Sequence, residues 1–316
     1  MTEKRRKILG ILLASFSIFV WGITFVSTKY LLSDFSSLEI LTFRFFTAYI
    51  GLWIIHPKFV KIQFADNILF VLAALSGVVL YQLFENIAIH FTNASNVSVI
   101  VGISPLFTAI LSQAFLKERH LSLWFIIGFV VSIVGIVLVC FNGSVSLSFN
   151  PKGDILALSA AVCWSFYSFL VSLINRKLYD PICATRRLFF FAILIMIPLS
   201  LMGWGLETHC ENASDFVRSL YFSFDKSVNA ERFSKIWNLV NLLFLGIFAS
   251  GICFTTWNKA CQITGTVKIS CMIYLIPVVT IFFAFFFLGE KITLQGGIGS
   301  AVTIAGLFVS EIRSSK

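Results

Sequence analysis

Charged residues are scarce in this chain of 316 residues. They make up 12% of it, which is about half of their share in soluble domains, and only 15 of them are acidic. Hydrophobic residues account for 58%, and the mean hydropathy is +0.92. A chain of this makeup has too few polar side chains to cover a water-exposed surface, so the composition predicts an integral membrane protein.

Motifs for enzyme chemistry are also missing. No glycine-rich phosphate loop occurs, which argues against transport driven by nucleotide hydrolysis within this chain. The four histidines lie at the edges of apolar stretches or in loops, and they do not combine with serine and acidic residues as in a hydrolase. The seven cysteines are odd in number and lack short spacings, which predicts neither a disulfide framework nor a metal site. We therefore expect a protein that is not an enzyme and that needs no cofactor or metal.

Apolar stretches long enough to cross a bilayer occur ten times. A spanning helix needs about 20 mostly apolar residues. The ten predicted spans are residues 8–31, 37–55, 68–90, 94–116, 121–141, 155–174, 183–203, 237–262, 265–288 and 293–309. The sequence therefore predicts an all-α membrane protein with ten transmembrane helices.

The chain contains an internal repeat. With a constant shift of 172 positions, residues 86–118 align with residues 258–290, and the identical pairs include Asn86 with Asn258 and Pro105 with Pro277. With a shift of 143 positions, Trp21 aligns with Trp164 and Arg44 with Arg187. Each copy holds five predicted spans. Because five is odd, the second copy is predicted to lie inverted in the membrane, as in many secondary transporters.

The repeat divides the chain into three parts. The first repeat covers residues 1–141 with helices one to five, an outer linker covers 142–154, and the second repeat covers 155–316 with helices six to ten. The two shifts differ by 29 positions, so the second repeat carries an insertion, which we place in an outer loop at about 205–236.

Basic residues predict the orientation. Lysine and arginine stay preferentially in short cytoplasmic loops. With the amino terminus inside, most of them fall on the cytoplasmic side, and the short outer connections hold only Lys29, Lys152 and Lys291. We therefore expect both termini to be cytoplasmic and the chain to lie in the inner (plasma) membrane. The net charge of +9 follows from this topology, so no nucleic acid is expected as a partner, and the expected partners are lipid and a small molecule.

Two charged side chains lie inside predicted spans near the same depth, Arg44 in the second span and Glu85 in the third. A charge inside the bilayer is costly and marks a candidate functional residue. One interpretation is that Glu85 contacts a cationic group of the substrate or a coupling proton. The alternative is a structural ion pair between Glu85 and Arg44, because a buried charge needs a partner whatever its role.

Pro105 and Pro277 occupy equivalent positions in the fourth and ninth spans. Proline removes a backbone donor and disturbs the preceding helical turn. Both prolines are candidates for a gating bend or a cavity wall, and the alternative is a packing kink without a role in transport.

Several aromatic residues lie beside small polar residues in the predicted spans. Aromatic walls with a few polar groups suit a flat or cationic organic solute, whereas the alternative is anchoring at the membrane interface. The candidate substrate-binding residues are Trp21, Thr24, Tyr81, Glu85, Asn86, Trp164, Tyr167, Trp257, Asn258 and Tyr274.

These patterns together resemble a known family. The matching pieces are the stretch 21–24, Arg44, the run 94–119 with Ser104 and Pro105, and its second copy at 276–291. The chain resembles the ten-helix EamA-like branch of the drug/metabolite transporter superfamily over nearly its whole length, except for a segment at 205–236 that is longer than usual for the family. The resemblance implies a gradient-driven carrier or exchanger with a central cavity lined by helices one, three, four, six, eight and nine.

Members of that superfamily move amino acids, aromatic compounds, nucleotide sugars and, in some intracellular bacteria, S-adenosylmethionine. With Glu85 for a sulfonium cation and aromatic walls for an adenine ring, we expect uptake of S-adenosylmethionine in exchange for S-adenosylhomocysteine. The alternatives are an exporter of amino acids or other metabolites and a membrane sensor or assembly factor without transport activity. One chain already encloses a site, so a monomer suffices, and a dimer is the alternative.

Overall fold

The computed structural model describes residues 3–91, 94–116, 121–140, 151–209, 214–288 and 294–311. These residues form helices joined by short connections, without strands in the part described. The helices are α1 (Glu3–Leu31), α2 (Ser37–Ile55), α3 (Asn67–Ala73), α4 (Tyr81–Phe91), α5 (Ala94–Val101), α6 (Ser104–Leu116), α7 (Leu123–Cys140), α8 (Pro151–Arg176), α9 (Pro181–His209), α10 (Asp215–Arg218), α11 (Lys226–Ser234), α12 (Ile236–Leu243), α13 (Cys253–Thr264), α14 (Thr266–Cys271), α15 (Ile276–Leu288) and α16 (Leu294–Glu311).

Six continuous helices of the described chain are long and apolar enough to cross a membrane. They are Glu3–Leu31, Ser37–Ile55, Phe64–Phe91, Pro151–Arg176, Pro181–Leu206 and Ile236–Thr264. Four shorter apolar helices accompany them, at Ser104–Leu116, Leu123–Leu138, Thr266–Thr280 and Gly297–Ser310. The helical fold of a membrane protein is therefore confirmed, while ten spans and an inverted repeat stay predictions.

Two of the long helices contain a π-helical segment. Ala74–Leu80 joins α3 to α4, and Phe244–Ile252 joins α12 to α13. In the first segment, Gly77 lies directly against the Tyr167 ring, where an added Cβ would stand 2.2 Å from the ring. Glycine is needed at this position because any side chain would push α8 away. π-helical turns are rare in proteins. Those that do occur often lie at functional sites.

The predicted fourth and ninth spans are interrupted rather than continuous. A turn at 102–103 separates α5 from α6, and a 3-10 turn at Met272–Leu275 separates α14 from α15. Pro105 and Pro277 each occupy the second position of the helix that follows the break. Proline is tolerated in the first turn of a helix, where its missing N–H has no intrahelical partner. The sequence predicted a bend inside each span. The structure has a turn between two helices before Pro105 and a 3-10 segment within a continuous helical run before Pro277.

Aromatic side chains fill the centre of the bundle. Trp257, Tyr167, Phe45, Phe189 and Phe254 are among its largest fully buried side chains. Large apolar side chains also cover much of the outside, including Phe286, Phe308 and Ile54. An apolar exterior of this extent suits lipid as the solvent.

A folded segment covers one end of the bundle, where α1 ends and α2 begins. We call residues 214–235 the cap and this end the cap end. The cap contains the short helices α10 and α11, and Leu38 N–H donates to the Ser219 carbonyl at 3.2 Å. The predicted seventh span ends at Gly203, but α9 continues to His209, so the predicted loop at 205–236 is in large part helical. Residues 210–213 of that prediction and the linker residues 142–150 lie outside the described residues.

Candidate substrate-binding site

A central pocket lies where the long helices and the two interrupted helices meet. Its aromatic and polar lining consists of Trp21, Thr24, Arg44, Tyr81, Gln82, Glu85 and Trp164. Apolar side chains complete the wall, namely Phe25, Val101, Phe254, Ile273 and Ile276. The pocket thus takes residues from both halves of the chain.

The pocket has a volume of about 20 Å³. A cavity of that size holds about one water molecule, whereas sites for organic ligands measure roughly 300 Å³ or more. The structure is therefore closed around the pocket, and an organic solute enters it only after the helices separate.

Arg44 and Glu85 face the pocket as separate charges. Arg44 donates from Nε to Ser250 Oγ at 2.6 Å and from Nη1 to Gln82 Oε1 at 2.8 Å. No nitrogen of Arg44 comes within 4 Å of a Glu85 oxygen, and the ion pairs of the described chain involve other residues. The direct structural ion pair is therefore not formed in this closed structure. Glu85 lies four residues after Tyr81 on α4, and both side chains line the pocket.

Three aromatic rings form one side of the pocket. Trp21 packs edge-on against Trp164 with ring centroids 5.5 Å apart, and Tyr81 packs on Trp164 at 4.8 Å. Trp21 Nε1 donates to the Ala249 carbonyl at 2.9 Å. Trp164 Nε1 is buried and has no hydrogen-bond partner among the described residues. A buried donor without a partner is costly.

The other predicted binding residues lie behind or away from the pocket. Trp257 packs on Trp21 at 5.0 Å. Tyr167 donates to Asn258 at 2.9 Å, so these two residues form a polar contact in the layer behind Trp164.

Asn86 and Tyr274 lie further from the pocket. Asn86 donates to the Ser37 carbonyl at 3.4 Å and thereby links α4 to α2. Tyr274 is buried in a separate apolar cluster, where it packs near Phe129. Their predicted contact with substrate has no support from this placement.

The sequence interpretation missed two partners of Arg44, Gln82 and Ser250. Gln82 directly follows Tyr81 inside a predicted span, and a search for uncharged polar residues at that depth would have found it. It also missed Glu39, which lies in the first turn of α2 and is buried.

One group outside the pocket offers three atoms with metal-ligand chemistry, at His56, Asp180 and Cys183. Arg186 points a guanidinium nitrogen at Cys183 Sγ, 3.7 Å away. The fixed positive charge of Arg186 opposes a bound cation, so we assign no metal there.

Apolar helices that enclose a pocket lined by charged and aromatic residues define a helical membrane protein with a candidate functional site in its interior. Sequence comparison gives the family. The EamA-like transporter family matches residues 8–141 and 151–311. The chain belongs to this family of multi-pass membrane transporters.

Relatives agree with that assignment, and a solved structure shares the fold. The chain is 26% identical over 307 residues to an "Uncharacterized transporter" of Archaeoglobus fulgidus, covering 95% of this chain and 96% of the relative. It is 25% identical over 244 residues to a "Probable terminal-alkyne amino-acid exporter" of Streptantibioticus cattleyicolor, covering 77% and 72%. One crystal structure shares the fold with a TM-score of 0.69 at 17% identity, covering 95% of this chain and 96% of that one.

Proposed function

We propose that this chain carries a zwitterionic organic solute with a flat ring across the plasma membrane by alternating access. The observation that carries the proposal is the pair of separate charges in one aromatic pocket, with Arg44 for a carboxylate and Glu85 for a cationic group. Trp164 adds a ring face and an N–H donor without a partner among the described residues. Rings of this kind attract cations and stack on flat groups.

S-adenosylmethionine is the first candidate solute. It carries a carboxylate, an ammonium group, a sulfonium cation and an adenine ring, which match the charges and aromatic walls of the pocket. We propose uptake in exchange for S-adenosylhomocysteine, which lacks the sulfonium charge and keeps the other groups. Both compounds are far larger than the closed pocket of about 20 Å³, so transport requires the pocket to open.

The helices offer places for that opening. The π-helical segments end at Leu80, directly before the pocket residue Tyr81, and at Ile252, two residues before the pocket residue Phe254. Interrupted helices at the centre of a membrane protein are typical of transporter binding sites. We propose that the ten spans form two inverted repeats and that Pro105 and Pro277 mark the bending points.

An exporter of amino acids is the second candidate. Its support is the name of the Streptantibioticus relative and the fact that amino acids carry the same two charges. A sensor or assembly factor is the third candidate, and it would require a partner on the cap, where Phe224 and Val228 are exposed.

The test is uptake of radiolabelled S-adenosylmethionine by bacterial cells that express the chain. We expect saturable uptake that excess S-adenosylhomocysteine blocks and that amino acids and nucleosides do not. Glu85→Gln should lower uptake at least tenfold at unchanged membrane abundance, while Glu231→Gln, which removes an exposed carboxylate of the cap, should have no effect.

Uptake equal to that of the empty vector would exclude S-adenosylmethionine as the imported solute. Loading the cells with labelled amino acids then tests export. If Glu85→Gln leaves the cellular phenotype unchanged while Val228→Asn on the cap surface abolishes it, the carrier proposal is rejected and the sensor is favoured.

A further inference from the structure

A second cavity lies at the cap end of the bundle, with a volume of about 360 Å³. Its walls come from the start of α2, the end of α4 and the cap. We call it the cap cavity, and its polar lining includes Ser37, His90, Asp215, Arg218 and Arg232. This volume falls within the range of small-molecule sites.

Two buried groups in the cap cavity lack partners. Ser37 has no exposed surface, and its Oγ makes no hydrogen bond with the described residues. Arg232 Nε is also buried without a partner in the described part of the chain. Buried polar groups are almost always hydrogen-bonded, so these two groups indicate a ligand that accepts hydrogen bonds. Neither atom has surface open to the cavity in this structure, so the ligand reaches them only when the cavity wall moves.

Two opposite charges complete the lining. Arg218 and Asp215 form neither an ion pair nor a side-chain hydrogen bond with other residues of the described ranges. The other acids of the cavity already have partners, because Asp34 pairs with Lys235 and Glu39 with Arg232. Among the described residues, Arg218 and Asp215 are therefore the cation and the anion of the cavity that stay available.

We propose that the cap cavity is a second binding site for a zwitterionic solute. Its carboxylate accepts hydrogen bonds from Arg218, Arg232 Nε and Ser37 Oγ, and its ammonium group faces Asp215. Arginine favours carboxylates because its planar fork of donors matches them.

The cap cavity lies above the central pocket along the same helices. Ser37 precedes Arg44 by seven residues on α2, and His90 follows Glu85 by five on α4. At 1.5 Å per residue, the two sites are about 10 Å apart along the bundle. The cap cavity is therefore placed to receive the solute before the central pocket opens. This role in transport rests on the proposed function, whereas binding to the cavity does not.

Binding is measured without transport, on the purified full chain in phosphatidylcholine nanodiscs. The probe is trifluoroacetate, a carboxylate without an amine or a ring, followed by fluorine NMR. We expect saturable broadening of its signal, weakened at least tenfold by Arg218→Gln and about threefold by Ser37→Ala, because Ser37 Oγ donates no bond that holds the fold. Lys226→Gln removes an exposed cation of the cap outside the cavity and should leave binding unchanged.

Competition with L-methionine tests the second charge. We expect L-methionine to displace trifluoroacetate. Asp215→Asn should weaken that displacement at least fivefold. The affinity of this variant for trifluoroacetate should be kept or improved. Absence of saturable binding, or equal loss in Arg218→Gln and Lys226→Gln, overturns the proposal. Failure of S-adenosylmethionine uptake with intact trifluoroacetate binding removes that solute from the proposed function and leaves the cap cavity as a site.

Discussion

Arg232 of the cap donates two hydrogen bonds to the Glu39 carboxylate of α2, from Nη1 to Oε2 at 2.9 Å and from Nη2 to Oε1 at 3.1 Å. The same carboxylate accepts the backbone N–H groups of Ser36 at 2.8 Å and Ser223 at 2.9 Å. Glu39 thus caps its own helix and holds the cap in place. Bidentate pairs of an arginine and a carboxylate are the strong form of a charge-assisted hydrogen bond.

We expect Glu39→Gln to release the cap. The side chain of Glu39 is 3% exposed and that of Arg232 12%, so the change leaves a largely buried guanidinium without its counter-charge, at a cost of roughly 3 kcal/mol. The rate of trypsin cleavage after Lys226 should rise strongly. Lys235→Gln is the control, since the more exposed pair of Lys235 with Asp34 contributes about 1 kcal/mol or less. Equal cleavage rates in both variants would contradict the assignment.

Asp34 should make the stability of the cap depend on pH. Hydrogen bonds from Lys235 and Asn238 hold the pKa of Asp34 below its ordinary value. A lowered pKa in the folded state stabilises the fold above the ordinary aspartate pKa, about 3.9, and this contribution is lost as the pH falls below it. The difference in melting temperature between the unsubstituted chain and Asp34→Asn should be constant from pH 5 to 7 and smaller at pH 3. A difference in melting temperature that grows toward pH 3 would contradict the lowered pKa of Asp34.

The two pocket tryptophans should respond differently to replacement by phenylalanine. Trp164→Phe removes an N–H that bonds to no described residue, so we expect a smaller loss of stability than in Trp21→Phe, limited to the cost of a smaller side chain in the core, and a KM for the solute raised about fivefold to tenfold. Trp21→Phe leaves the Ala249 carbonyl without its donor, which should cost about 1–3 kcal/mol of stability. A loss of stability in Trp164→Phe as large as that in Trp21→Phe, with unchanged KM, would show that the indole N–H serves the fold instead.

Gly77 should tolerate no side chain. A Cβ at this position would meet the Tyr167 ring at 2.2 Å, and forcing extra atoms into a packed core costs about 1–3 kcal/mol. We expect Gly77→Ala to lower the melting temperature and the transport rate. Gly51→Ala is the matched control, because the nearest atom to its Cβ would lie 3.8 Å away and alanine is the better helix former. A Gly77→Ala protein as stable as Gly51→Ala would show that the π-helical segment shifts to accommodate the added methyl group at little cost in stability.

The central site was partly predictable from the sequence. Trp21, Tyr81, Glu85 and Trp164 were found because aromatic and charged residues inside apolar stretches stand out against leucine and phenylalanine, and all four line the pocket. Tyr274 satisfied the same criterion and lies elsewhere, because the sequence does not show which face of a helix meets the centre.

The cap was not predictable in the same way. Glu39 lies at the edge of a predicted span, and its partners Ser223 and Arg232 follow it by 184 and 193 residues. Neither the repeat nor the hydropathy connects them. The sequence located the insertion. Only the tertiary structure shows the hydrogen bonds that hold it over α1 and α2.

By itself, the sequence determined that this protein is a helical membrane protein, because apolar runs of membrane length require lipid as their solvent and helix as their backbone structure. It also determined the EamA-like family. Tertiary structure alone decided that Arg44 bonds to Gln82 and Ser250 and leaves Glu85 as a separate charge. The physical reason is that composition and periodicity set the solvent and the secondary structure of each segment, whereas the partner of a buried charge depends on which distant helices pack around it.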